Sequence, residues 1–148
     1  MIWKPHVTVA AVIEQQGRYL LVEENIDNRL VFNQPAGHLE EGESLPQAVT
    51  REVMEETAYH FEPQALVSIQ LWQHPQKPAA FLRFTFCGRV IHHEPGRPLD
   101  KDIVATSWMT RKEIEGMQER LRSPLVWQSL IAYESGQRFS LDLLHSLT

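Results

Sequence analysis

Apolar and β-branched residues dominate His6 to Ile13 and predict a strand, and Gln15-Gln16-Gly17 turns it into a second over Tyr19 to Val22. A short third strand is expected over Val31 to Gln34, where Pro35 stops it. The periodicity then lapses through a turn-rich loop, Pro35 to Glu43, that holds Gly37 and Gly42. A helix begins at Ser44: Gln47 stands three residues on, as a capping box requires, and Pro46 falls in the first turn, where its missing N–H does no harm. Strand patterns return over Ala65 to Trp72, Ala80 to Ile91 and Ile103 to Met109. Thr110 and Glu113 make a second capping box, opening a helix expected to run to about Arg120, and Ser123-Pro124 opens a third that Gly136 ends.

Strands, helix, strands, helices is the order of an α+β or mixed α/β sandwich and not of a regular βαβ repeat. No internal repeat or Pro/Gly/Ser-rich linker divides the chain, so residues 1–148 are read as one domain. The net charge of -5 argues against broad nucleic-acid binding, which needs a basic face. It leaves room for an anionic small molecule, because a bound divalent cation reverses the local sign. Cys87 is the only cysteine, which excludes an internal disulfide or a thiolate cluster and marks a core thiol. No signal-peptide core follows Met1, and no apolar run approaches the ~18 residues of a membrane span, so the expectation is a cytoplasmic chain without a membrane partner.

The chemistry concentrates on the first helix, in Arg51-Glu52-Val53-Met54-Glu55-Glu56. At about 100° per residue, Glu52, Glu55 and Glu56 fall within one arc of about 100°, on the side of Leu45, Ala48 and Val49. Gln47, Thr50, Met54 and Thr57 take the opposite side. Three carboxylates therefore point toward the body of the protein, where like charges at i,i+3 and i,i+4 repel more strongly as water is excluded. Arg51 offers one compensating guanidinium, too little for three acids. Hard oxygen donors favour Mg²⁺, with Mn²⁺ also admissible. The bland alternative is a solvated Glu/Arg helix face, which the upstream context opposes.

Gly37, five residues, Glu43, seven residues and then Arg51 to Tyr59 resemble the box of the Nudix hydrolase family. The resemblance extends through Lys4 to Ala10, Asn33 to Glu40, Phe81 to Phe84, Arg122 to Leu125 and Ser135 to Arg138. It implies an α/β/α sandwich around a mixed sheet. It further implies that Glu52, Glu55 and Glu56 are metal ligands, joined by the Gly37 carbonyl, and that Arg51 and Glu43 form a pair orienting the helix against the loop. For the general base it leaves two choices, an acid of the box helix (Glu52 first, with Glu56 beside it) or a loop acid, here Asp102. One position departs: Ala58 stands where the family has Gly, and Ala tolerates a positive φ poorly, so a remodelled helix exit is expected.

Arg29 and Arg83 are candidates for gripping phosphates, because a guanidinium offers a bidentate fork. Alternation puts Arg83 on the face opposite Leu82 and Phe84, which equally fits a solvent-facing strand residue. His38, beside Gly37, is a candidate substrate neighbour, whereas His92-His93 reads as a surface pair in a loop. Phe32, Trp72 and Trp108 are candidates for stacking on a base, with buried core as the alternative. The resemblance implies Mg²⁺-dependent hydrolysis of phosphoanhydride bonds in nucleoside tri- and diphosphates with release of phosphate, hydroxymethylpyrimidine diphosphate and thiamine diphosphate being further candidates. Other nucleoside diphosphate-linked substrates, a non-catalytic binding module and an isomerase on the same scaffold remain the alternatives. A monomer or weak homodimer is expected. No P-loop or dinucleotide-binding glycine pattern is present.

Overall fold

The computed structural model describes residues 1–148. β1 (His6–Gln15) and β2 (Arg18–Ile26) form a hairpin through Gln16 and Gly17, both at positive φ, as a two-residue turn between twisted strands demands. Asp27 and Asn28, also at positive φ, return the chain as β3 (Arg29–Asn33). Then come β4 (Ala36–His38), α1 (Leu45–Thr57), β5 (Tyr59–Gln73), β6 (Ala80–His93), β7 (Ile103–Thr110), α2 (Arg111–Glu115) and α3 (Pro124–Glu134), with 3-10 turns at Gln118–Arg120 and Leu141–Leu143.

β1 is the hub of the sheet. It runs parallel to β6 over its length and antiparallel to β4 at Thr8–Ala10 and to β2 at Glu14–Gln15. β5 lies outside β6, and β2 carries β3 on one side and β7 on the other. Only the β1–β6 pair is parallel, so the sheet is mixed, as expected. Val9, Ala11 and Ile13 of β1 pack with Ala48, Val49 and Val53 of α1 and with Phe86. Val12, with Tyr19, Leu21 and Phe32, meets Ile114 of α2 and Leu130 of α3. β1 is thus apolar on both faces because helices cover both, and the α/β/α layering follows.

Several boundaries depart from the periodicity. β4 lies inside the segment read as a loop; three residues, Ala-Gly-His, carry no strand pattern. β5 starts at Tyr59, six residues before the expected Ala65, and bulges at Pro63/Ala65 admit the proline that masked it. His92 and His93 end β6, paired with His60 and Tyr59, and are not in a loop. α2 ends at Gly116 instead of near Arg120. Thr57, placed on the outer side of the helix by the wheel, is buried and donates its hydroxyl to the Val53 carbonyl. The helix exit is not remodelled at Ala58. Ala58 takes φ 62°, ψ 18°, the left-handed conformation of the family glycine, and donates its N–H to the Met54 carbonyl.

Candidate active site

The first turn of α1 is fixed by both halves of the capping box, Ser44 Oγ accepting from Gln47 N and Gln47 Oε1 accepting from Ser44 N. The helix then presents its acids to β4. Glu52 and Glu56 are 8% and 6% exposed, and Glu55 is half-buried. The Glu52 carboxylate lies directly over Gly37: a Cβ there would sit 2.1 Å from Glu52 Cδ. Only glycine leaves that space. Glu56 Oε1 accepts from the Ala36 N–H at 2.9 Å. The backbone of β4 is therefore the surface against which two of the three acids are seated.

Arg51 ties helix to loop. Its Nε and Nη2 donate to the two Glu43 oxygens at 3.0 and 2.7 Å, Nη2 also donates to the His38 carbonyl, and Nη1 donates to Glu52 Oε1 and Glu55 Oε1, each at 2.7 Å. The guanidinium holds the Glu43 carboxyl below the usual range and is itself held more firmly protonated. Burial works against two of the helix acids. It pushes Glu52 up to about 7 despite Arg51, and Glu56 up to about 9 despite the Ala36 N–H. Each is desolvated more than its partners compensate.

A fourth acid, unmarked by the sequence pattern, completes the group. Asp100 donates its N–H to the Glu55 carbonyl at 3.0 Å, and carboxylate oxygens of Glu52, Glu55 and Asp100 lie within 4.8 Å of one another. Glu56 stands outside this trio. Burial and the Glu55 charge raise Asp100 as well. Clustered hard oxygens and raised carboxyls, one of them seated over a residue with no side chain, fit a divalent cation of the Mg²⁺ type. The expected loop acid, Asp102, is exposed, and its contact is a backbone one, accepting from Asn25 N. Spacing alone did not separate Asp100 from Asp102 in Asp-Lys-Asp.

Arg83 does lie opposite Leu82 and Phe84, but that face is covered, so the solvent-facing alternative is overturned: the residue is 4% exposed. Its Nη2 donates to Gln34 Oε1 at 2.7 Å and Asn33 Oδ1 at 3.4 Å, while Nε has no partner. Burial brings this guanidinium down to about 10. Nearby Glu24, also buried, accepts from Arg122 through Oε2 and leaves Oε1 without a partner. Glu24 carried no motif signal, and Gln34 was marked only as part of the Asn33 to Glu40 resemblance. His38 is exposed, and its Nε2 lies 3.1 Å from His6 Nδ1. Partial burial, with the His6 and Arg122 charges, holds its imidazole below the usual value. Arg29 is exposed at the start of β3 and donates to the Glu119 carbonyl, apart from the acids. Phe32 is core, under Arg120; Trp108 meets Tyr59 edge-on; Trp72 is half-buried and stacked on Phe81. Cys87 is buried, which pushes its thiol up.

Inward acids on one helix, seated on a glycine-bearing strand and braced by a single arginine, belong to one known class. Residues 4–128 match the family model described as the NUDIX domain, and the chain belongs to the Nudix family: it is a Nudix-type phosphoanhydride hydrolase acting on small phosphorylated substrates. It is similar to the phosphatase NudJ of Escherichia coli (strain K12), with 43% identity over 143 residues, which are 97% of this chain and 92% of that protein. A NUDIX hydrolase from Nitrosomonas europaea superposes with a TM-score of 0.95 and 48% identity, over 97% of each chain. The MutT protein from Methanosarcina mazei Go1, at 23% identity and a TM-score of 0.74 over 93% of this chain and 100% of that one, shares the fold. The likeness read along most of the sequence is borne out by this coverage.

Proposed function

We propose that this single-domain chain is a Mg²⁺-dependent phosphatase of nucleoside tri- and diphosphates that releases terminal phosphate. Mn²⁺ is an alternative metal, and hydroxymethylpyrimidine diphosphate and thiamine diphosphate are further substrates. The observation that carries the reading is the carboxylate trio of Glu52, Glu55 and Asp100, with the Glu52 carboxylate seated over Gly37. Glu52, Glu55, Glu56 and Asp100 would hold the metal with the Gly37 carbonyl. When bound, such an ion neutralises phosphate oxygens and acidifies an attacking water.

The chain's own groups do the rest. Glu52, with Oε1 committed to Arg51, has its other oxygen to take the proton from water. Arg51 and Glu43 fix the helix against the loop, so that the ligands keep their spacing. His38 and Arg83 belong to the substrate side of the site. The similarity to a protein named as a phosphatase supports phosphate as the product. No helix is long and apolar enough to cross a membrane.

The test is release of phosphate and pyrophosphate from nucleotides and thiamine-pathway diphosphates, with Mg²⁺ and with chelator, for the native protein and Glu56→Gln. Metal-dependent phosphate release lost in the variant is the expected result. Equal turnover in chelator, or a fully active variant, overturns the reading.

A further inference from the structure

Neither arginine expected to grip phosphate is free to do so, since Arg29 lies apart from the acids and Arg83 is buried. Arg122 differs from both. It begins the stretch Arg122 to Leu125, a part of the sequence resemblance that holds none of the carboxylates or their braces. Its backbone N–H donates to the Phe32 carbonyl at 2.8 Å, next to the bridge between Phe32 and Leu121, which pins it along β3. Its Nη1 donates to Glu24 Oε2 at 2.9 Å, and no other bond within the chain engages its side chain, which is 44% exposed. It also lines an open cavity of about 390 Å³ with Gln118, Ser123, Trp127 and Gln128. A buried carboxylate therefore fixes one nitrogen of a guanidinium whose Nε and Nη2 remain for a ligand.

Two backbone links place this guanidinium beside the acids. Glu24 pairs with Ile103 of β7, whose N–H donates to the Asp100 carbonyl at 3.0 Å, so the anchor of Arg122 adjoins a member of the trio. Phe32, which takes the Arg122 N–H, leads through Asn33, Gln34 and Pro35 to Ala36, whose N–H is bound to Glu56 Oε1. The charge of Arg122 is felt by the His38 imidazole, next to Gly37, and by the Arg83 guanidinium, and it helps hold both below their ordinary values. A substrate with two or more phosphates presents oxygens beyond the metal-bound group, and a planar guanidinium is suited to take them.

We propose that Arg122, anchored by Glu24, grips the phosphate next to the metal-bound one through its Nε and Nη2. The inference rests on the hydrolase reading of the carboxylates and adds the residue that recognises a diphosphate unit over a single phosphate. Glu24 is a positioning residue in this arrangement, acting through the guanidinium that it holds.

The experiment compares the native protein with Arg122→Lys and with the double variant Glu24→Gln/Arg122→Gln, which removes both charges so that neither is left buried alone. The readout is calorimetric binding of Mg²⁺ alone and of inorganic pyrophosphate in the presence of Mg²⁺, and it needs no turnover. A charged hydrogen bond of about 1.5–3 kcal/mol predicts roughly 10- to 100-fold weaker pyrophosphate binding in the double variant, with Mg²⁺ affinity and Tm kept. Arg122→Lys keeps a charge opposite Glu24 but not the planar fork, and should lose about fivefold or more. A guanidinium that serves only to neutralise Glu24 would leave pyrophosphate affinity unchanged in the double variant, and that result overturns the proposal. A parallel loss of Mg²⁺ affinity overturns it too, by making Arg122 a support of the carboxylates, as does a native protein that binds no pyrophosphate. Should the double variant not fold, Arg122→Lys decides, and an affinity within about twofold of the native value overturns the proposal. Selective loss of pyrophosphate in a protein that hydrolyses no nucleotide would keep the subsite and overturn the hydrolase reading. Turnover with unchanged pyrophosphate affinity does the reverse.

Discussion

Gly37→Ala separates the site from the fold. The added methyl would stand 2.1 Å from Glu52 Cδ, whereas carbon atoms rest at about 3.5 Å, so the carboxylate must retreat by roughly 1.4 Å. Glu52 can do so only by loosening its bond to Arg51 and its position against Glu55 and Asp100. Misplacement on the order of 1 Å near reacting groups costs about 100-fold in rate, and that is the expected loss in kcat. Stability should scarcely change. Gly37 has no positive φ, so alanine needs no strained backbone there, and its gain in chain stiffness of about 0.4–1 kcal/mol offsets part of the disturbed ion pair. A net change within about 1 kcal/mol shifts Tm by no more than roughly 2–4 °C in a chain of this size. Steady-state phosphate release and a thermal melt on the same preparation decide the matter. Turnover within about threefold of the native protein would refute the seating of Glu52 on Gly37, and a collapse of Tm would show that the glycine serves the fold.

Three further outcomes follow from the same geometry. Ala58→Gly should stabilise the protein by about 1 kcal/mol, because an alanine at φ 62° carries the left-handed penalty that glycine lacks; the urea midpoint should rise with an unchanged slope. In the metal-free protein, burial raises Glu52 to about 7 and Glu56 to about 9 from an ordinary 4.5, so the folded state holds protons that the unfolded chain releases. Stability is then greatest below about pH 4.5 as far as these two groups are concerned, and is lost as pH rises toward 7 and 9. The metal-free Tm should therefore fall between pH 5 and pH 8.5, less steeply with Mg²⁺ present, and a rise over that interval would contradict the assignment. Arg51→Lys gives up the two-nitrogen grip on Glu43 and the bond to the His38 carbonyl, at a cost of roughly 2 kcal/mol for a partly exposed arginine. Urea unfolding measures it, and an unchanged midpoint would show that the ion pairs are dispensable.

How much of this was written in the sequence depends on whether a feature is local. α1 was legible because Ser44, Gln47 and Pro46 define its start within four residues, and the inward arc of the acids follows from helical geometry alone. The seat beneath them was not, since β4 is three residues long and gains its order from pairing with Thr8–Ala10. Arg83 shows a different limit. Alternation assigns residues to two faces, but which face is covered depends on where α3 docks, dozens of residues later. Asp100 and Asp102 share a loop, and only the bond from Asp100 N to the end of α1 selects between them. At Ala58 residue preference pointed one way and the helix exit went the other, held by the bonds on both sides, Ala58 N to the Met54 carbonyl and Glu94 N to the Ala58 carbonyl.

Arg51 also determines what the protein is when no ion is bound. One nitrogen, Nη1, already bridges Glu52 and Glu55, so the chain brings its own cation to the place where repulsion would otherwise spread the ligands. Small domains organised around a structural ion lose their shape without it, because nothing else reconciles the ligands. Here the helix, the loop and β4 are already joined through a guanidinium that cannot diffuse away. The ligand geometry is therefore built before any ion binds, and an ion would find its carboxylates already gathered.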